Sequence, residues 1–297
     1  MDLDIVLPQN EIGPDPSGLK DYAVAAQELG FTRLLVFDHV LGVEHGGREP
    51  KLSGPYDEKD EFHEPLTLFA YLAGVTTTLQ LATSVLVLPQ RETALLAKQV
   101  AELDLLSGSR FTLGVGVGWN YVEYETLNAR FDDRGKRMNE QIELLRKLWT
   151  GEVVDFDGTW HRVDRASIAP RPHRLIPIWM GGLSGPAYRR AALLGDGFLS
   201  TRIEGHDGSK SALAQTRTAD HLRELIIENG RDPSTFHMEG RLNFSQMGST
   251  WGSELDVFGR ANFAGVAINP MGAGLRGPGP HIVALESMAR ELGLLRR

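Results

Sequence analysis

The chain has 297 residues, a formal net charge of -8 at pH 7 and no cysteine. That length can bury a large core in one or two domains, the acidic balance argues against nucleic acid or an anionic membrane as partner, and the missing thiols exclude disulfides, thiolate metal sites and a cysteine nucleophile. A cytoplasmic location is expected: MDLDIVLPQN lacks the basic start of a signal peptide, and no apolar run is long enough to cross a bilayer.

The first strand is predicted at 3–8. Residues 17–29 carry apolar side chains at helical spacing (Leu19, Tyr22, Ala23, Ala26, Leu29), with Ser17 as N-cap and Gly30 as stop. Residues 32–37 (TRLLVF) read as a second strand closing on Asp38-His39, and a polar, glycine-rich loop spans 41–62. A helix over 65–74 has proline near its first turn; 80–88 (QLATSVLVL) is a third strand and 93–106 a third helix. The fourth strand, 111–117, opens into an aromatic, acidic loop (Trp119, Tyr121, Glu123, Tyr124). An amphipathic helix follows over 132–150, with Met138, Ile142, Leu145 and Trp149 on one face. Residues 153–163 suggest a β-hairpin turning at Asp157-Gly158, placed by its position between helix and strand away from the active face. Strands at 176–180, 197–201, 236–244 and 265–269 then alternate with helices at 185–194, 209–229, 253–261 and 281–292.

Eight strand-helix units in about 250 residues plus insertions fit a (β/α)8 barrel, read here as a single domain over 1–297. A doubly wound open sheet shares the local pattern, but the regular rhythm and the lack of a second domain favour the barrel. A parallel α/β protein binds its ligand at the carboxyl ends of its strands. The longest such loops follow strands two, four and eight.

Several residues at those ends carry chemistry. Gly114, Gly116 and Gly118 alternate where strand four opens, stripping side chains from a backbone that either packs on its neighbours or floors a planar ring. They do not spell G-x-G-x-x-G, because position 121 is tyrosine. Gly181-Gly182-Leu183-Ser184 opens a helix, and its amides and hydroxyl suit either a phosphate or an ordinary cap. Thr201, ending strand six, adds a hydroxyl nearby. Asp38-His39 pairs an acid with an imidazole able to position a proton. Arg91 reads equally as an anion ligand or an ion pair, and Trp119 and Trp179 as packing groups. His39, His45 and His63 lack metal-ligand spacing, so no metal is expected, and no nucleophile elbow is present.

The motifs Phe37-Asp38-His39, Thr83-Ser84-Val85-Leu86, Leu103-Asp104-x-Leu-Ser-Gly-x-Arg110, Leu113-Gly114-Val115-Gly116-Val117-Gly118-Trp119, Arg134-Gly135-x-Arg137-x-x-Glu140, Leu145-Arg146-x-Leu148-Trp149, Phe156-x-Gly158, Ile178-Trp179-x-Gly181-Gly182 and Arg190-Ala191-Ala192-x-x-Gly195-Asp196-Gly197 occur in that order over roughly the first two-thirds of the chain. By them the chain resembles the luciferase-like monooxygenase superfamily and, within it, the coenzyme F420-dependent oxidoreductases. The resemblance implies a (β/α)8 barrel whose mouth holds F420 or FMN. It also implies a non-prolyl cis peptide at Ser84-Val85, forming a bulge behind the ring. Asp38 and His39 match residues near the reactive edge of the deazaflavin; Gly116, Val117 and Gly118 match the loop along the cofactor; Gly181, Gly182 and the hydroxyl near Thr201 match positions holding the ring or its phosphate.

Sugar-phosphate dehydrogenases of the superfamily carry an acid where Trp119 stands, and a tryptophan after the Asp-His pair that Val40-Leu41-Gly42-Val43 does not supply. The reading is therefore hydride transfer between F420 and a small, largely apolar substrate, with His39 moving the proton, Asp38 orienting it, and a homodimer formed through helices flanking strands two and three. FMN-dependent monooxygenation is the alternative; a flavin-storing barrel and a metal-assisted lyase lie further off.

Overall fold

A computed structural model describes residues 1–200, 209–246 and 251–294. Its parallel strands are β1 (Asp2–Val6), β2 (Arg33–Val36), β3 (Gln80–Thr83), β4 (Leu86–Val87), β5 (Phe111–Gly116), β8 (Ile178–Gly181), β9 (Gly197–Leu199), β10 (His237–Asn243) and β11 (Gly265–Asn269). The antiparallel pair β6 (Val154–Asp157) and β7 (Arg162–Ala166) stands apart. The helices are α1 (Pro16–Glu28), α2 (Pro65–Val75), α3 (Thr93–Leu106), α4 (Tyr121–Thr126), α5 (Arg134–Thr150), α6 (Gly185–Leu194), α7 (Ser209–Glu228), α8 (Trp251–Arg260) and α9 (Pro278–Glu291).

The sheet order β3-β2-β1-β11-β10-β9-β8-β5-β4, with β3 also pairing β5, closes the sheet on itself. Since β3 and β4 are successive segments of one barrel strand, the result is an eight-stranded parallel (β/α)8 barrel. Closure is laid down by Leu81 opposite Phe111 and by Leu86 opposite Val115.

Helix starts follow local chemistry. Asp15, not Ser17, caps α1: its carboxylate accepts from the Ser17 amide, and Pro16 fills the first turn. Glu64 does the same for α2 through the Thr67 amide.

Strand alternation separates two apolar layers. One face of the strands packs on the helices through residues such as Ile5, Leu34, Leu81, Leu113 and Ile178. The inner face is a small cluster of Val6, Leu35, Ala82, Trp179, Leu199, Ala267 and Met271. Beneath it lies a polar floor. Arg33 donates to Asp4 and Gln80, its guanidinium carbon lies 4.6 Å from the Trp179 ring centroid, and His237 stacks on that ring at 3.8 Å while bonding Glu239 at 2.7 Å.

Two expectations change. The hairpin turns over Gly158–His161, with Asp157 opposite Arg162, because Glu140 accepts from the amides of Thr159, Trp160 and His161 and so widens the turn. Its tip also runs back along α5 toward the strand-end face: Trp160 Nε1 donates to Asp133 at the start of α5, and His161 meets Thr93 at the start of α3. The aromatic, acidic loop after β5 contains α4, started by Asn120, whose side chain accepts from the Val122 and Glu123 amides.

Candidate active site

β2 delivers Phe37, Asp38 and His39 to the mouth, and the two polar residues part company there. Asp38 is buried; one carboxylate oxygen accepts from the Val87 amide and the other from Arg91, both at 2.8 Å. Burial pushes the Asp38 carboxyl above its ordinary value, with Arg91 and the Val87 amide opposing. Arg91 also bridges to Glu64 at 2.9 Å, so it is an internal ion-pair residue and not a ligand for an anionic tail. Asp38 therefore ties the β2 end to the β4 segment and does not orient His39.

The partner of His39 is Glu123. Its Oε2 lies 3.3 Å from His39 Nδ1, and its Oε1 accepts from the amides of Val40 at 2.7 Å and Leu41 at 3.1 Å. Burial works to raise the Glu123 carboxyl, but the His39 bond and the Leu41 and Val40 amides outweigh it and hold the carboxyl below its usual range. An ionised carboxylate at Nδ1 favours the tautomer with the proton there and leaves Nε2 as the ring nitrogen able to accept a proton. The ring sits edge-on to Phe62 at 4.9 Å, Tyr56 at 5.3 Å and Trp119 at 5.6 Å. The loop after β2 supplies two of these rings and lies against Trp119: a Cβ at Gly54 would collide with the indole. Burial raises the Tyr56 phenol to about 12, so it stays protonated near neutrality.

Beside this enclosure the strand predicted over 80–88 is interrupted at Ser84-Val85, a cis peptide. Ser84 turns inward to accept from Arg241 at 2.7 Å. Val85 seats itself between two strand ends: a Cβ at Gly116 would lie 2.5 Å from Val85 Cγ2, and one at Gly181 would lie 2.7 Å from Val85 Cγ1. The two glycines thus make room for Val85. Gly118 has a φ of 64° and Gly182 a φ of 149°, conformations that favour glycine. Val117 accepts from the Tyr124 hydroxyl, which fixes the loop between them.

The sequence profile of the luciferase-like monooxygenase family matches residues 4–242. The chain belongs to this family. An uncharacterized protein of Mycobacterium tuberculosis is 41% identical over 174 residues, which cover 57% of this chain and 60% of that protein. A protein of Nakamurella multipartita named F420-dependent glucose-6-phosphate dehydrogenase is 31% identical over 234 residues, covering 77% of this chain and 64% of its own length. The chain thus spans less than two thirds of either relative. Among solved structures, a monooxygenase from Streptomyces bottropensis superposes with a TM-score of 0.76 at 19% identity over 98% of each chain, a likeness of fold.

Within this luciferase-like barrel, the remaining expected residues divide. Ser184 caps α6, accepting from the Ala187 amide, and Pro186 leaves that first turn one amide short. Thr201 lies outside the described residues. Gly272, Gly274 and Gly277 have fingerprint spacing between β11 and α9, yet Glu11 already accepts the Gly272 amide, and Pro278 and Pro280 remove two donors from the helix start. Among the described residues no group of three or more His, Asp and Glu is placed to hold a metal.

Sequence reasoning missed Glu123 and Arg241. For Glu123 a signal existed, since Asn120-x-x-Glu123 has the spacing of a capping box. Nothing local marks Arg241, which gains its meaning only from the opposite side of the barrel.

Proposed function

We propose that this chain is an F420-dependent oxidoreductase that moves a hydride between the deazaflavin and a small, largely apolar substrate. The observation that carries the reading is His39, held by Glu123 inside an aromatic enclosure next to the Val85 seat. The names of its relatives support the choice of cofactor. These residues fit a flat ring bound at the mouth: Val85 would support it from behind, the ends of β5 and β8 would lie along it, and the α6 start would meet its phosphate tail.

The bound cofactor would supply a carbon that gives or takes hydride and is largely inert to oxygen. Protein groups do the rest. His39 Nε2 gives or takes the accompanying proton, Glu123 stabilises the imidazolium, and Tyr56, Phe62 and Trp119 keep water from the reacting atoms. Trp119 occupies the place where sugar-phosphate dehydrogenases carry an acid, which supports an apolar substrate. The same reading treats residues 1–297 as one catalytic domain working in the cytoplasm. It pairs two copies through α2 and α3, where Tyr71, Leu95 and Leu106 are exposed. No described helix is long and apolar enough to span a membrane.

Titration of the purified protein with F420 and with FMN, followed by fluorescence, tests the cofactor. Micromolar binding of F420 alone is expected; binding of FMN alone would replace this reading with the monooxygenase one. His39→Ala is expected to lower turnover by about 100-fold or more with little change in F420 affinity. Unchanged turnover would remove His39 from the reaction.

A further inference from the structure

Strand alternation turns Glu239, Arg241 and Asn243 of β10 toward the barrel axis, and Arg241 is the one that reaches the mouth residues. Its Nη2 donates to Ser84 Oγ at 2.7 Å, and its guanidinium carbon lies 5.7 Å from the centroid of Phe37, next to Asp38 and His39. Gln215 holds its backbone from the helix side: Oε1 accepts from the Arg241 amide at 2.7 Å, and Nε2 donates to its carbonyl at 2.9 Å. Arg241 is 7% exposed, and Nη1 has no hydrogen-bond partner among the described residues.

A guanidinium this deep ordinarily faces a carboxylate, because a lone buried charge is costly. Here no described carboxylate forms an ion pair with it. The charged and titratable groups it feels are Glu239 on its own strand, Tyr56 in the loop after β2, and Asp4 on β1. Glu239 bonds His237 on the floor, and burial raises its carboxyl to about 7; Tyr56 is protonated; Asp4 is paired with Arg33. Among the described residues the cation is thus under-compensated, and Ser84 links it directly to the Val85 seat.

We propose that Arg241 supplies the positive charge that accepts the negative charge gained by the deazaflavin ring when hydride arrives, a proposal that rests on the F420 reading above. In the oxidation of an alcohol, the C–H bond breaks and its electron pair leaves with the hydrogen to the ring. The O–H proton goes to His39 Nε2, and the substrate departs as a carbonyl compound. The ring has then gained two electrons and one hydrogen nucleus, so its charge falls by one unit, and that charge spreads over N1 and the C2 carbonyl oxygen. His39 handles the proton and Arg241 the charge. The return reaction uses the same two groups in reverse.

The test is the ionisation of reduced F420 bound to the protein, followed anaerobically by absorbance across pH. Bound reduced F420 is expected to lose its N1 proton at lower pH than free reduced F420. Arg241→Gln is expected to raise that value by about one pH unit, a tenfold change in the ionisation constant, while Arg241→Lys keeps most of the effect. Ionisation in the parent protein at or above the pH of the free cofactor would overturn the proposal, and this comparison needs no variant. A folded Arg241→Gln protein that titrates like the parent would do the same. Failure of the parent to bind F420 would remove the cofactor reading and this proposal together; binding with unshifted ionisation would remove this proposal alone.

Discussion

Asp38 and Glu123 show that a carboxylate's role is set by what it accepts. Asp38 has spent both oxygens on Val87 and Arg91, whereas Glu123 spends one on the amides of Val40 and Leu41 and turns the other to His39. Their variants should therefore fail differently. Glu123→Gln is expected to lower kcat by about 10–100-fold while F420 affinity and folding hold. Asp38→Asn is expected to cost about 1–3 kcal/mol of stability, read from thermal melting, with a smaller effect on kcat. Equal losses of kcat would contradict this division. Because the Glu123 carboxyl is held below its ordinary 4.5, its contribution to stability is present above that value and is lost as pH falls through the lower, folded-state value.

At the level of elements, strand ends build the site by exclusion. β5 and β8 each end in a glycine because Val85 occupies the space a Cβ would take. Gly116→Ala is expected to push Val85 toward the mouth and weaken F420 binding by about tenfold, the size of a modest overpacking cost. Gly74→Ala in α2 is the control: its Cβ would meet open space, so binding should hold and stability should rise by about 0.5–1 kcal/mol. Fluorescence titration of both variants checks the pair, and equal F420 affinities would remove Val85 from the seat. The hairpin teaches a related lesson. Its existence was legible in strand-like residues around a turn signal, but Glu140, on another element, decided how wide the turn is and which way the tip runs.

For the whole molecule, barrel closure sets β10 two strands from β1 and brings inward polar residues of β1, β2 and β10 onto one floor. Asp4 and Glu239 both face Arg33 there. Burial raises the Glu239 carboxyl from 4.5 to about 7, with Arg33 and Arg241 opposing. The folded protein therefore keeps a proton that the unfolded chain releases, and stability falls as pH rises from 4.5 to about 7, then levels off. Glu239→Gln keeps a neutral acceptor in place. It is expected to flatten that decline and to raise stability at alkaline pH by up to about 3 kcal/mol. Urea midpoints measured across the window check this, and a pH slope like the parent's would contradict it.

By itself the sequence determined the barrel, because apolar period and helix caps are local signals and their eightfold repetition has few closed solutions. It also placed Asp38, His39, Ser84, Val85 and the glycines at the strand ends, since motif spacing survives without knowledge of contacts. Tertiary structure alone decided which acid faces His39, that the glycines make room for Val85, that Arg91 is an internal ion pair, and that Arg241 is buried without a carboxylate partner among the described residues. Each of those facts joins residues on different strands or loops: 84 positions separate His39 from Glu123, and 157 separate Ser84 from Arg241. Hydrogen bonds and burial act through distance in space, and only barrel closure makes those distances short.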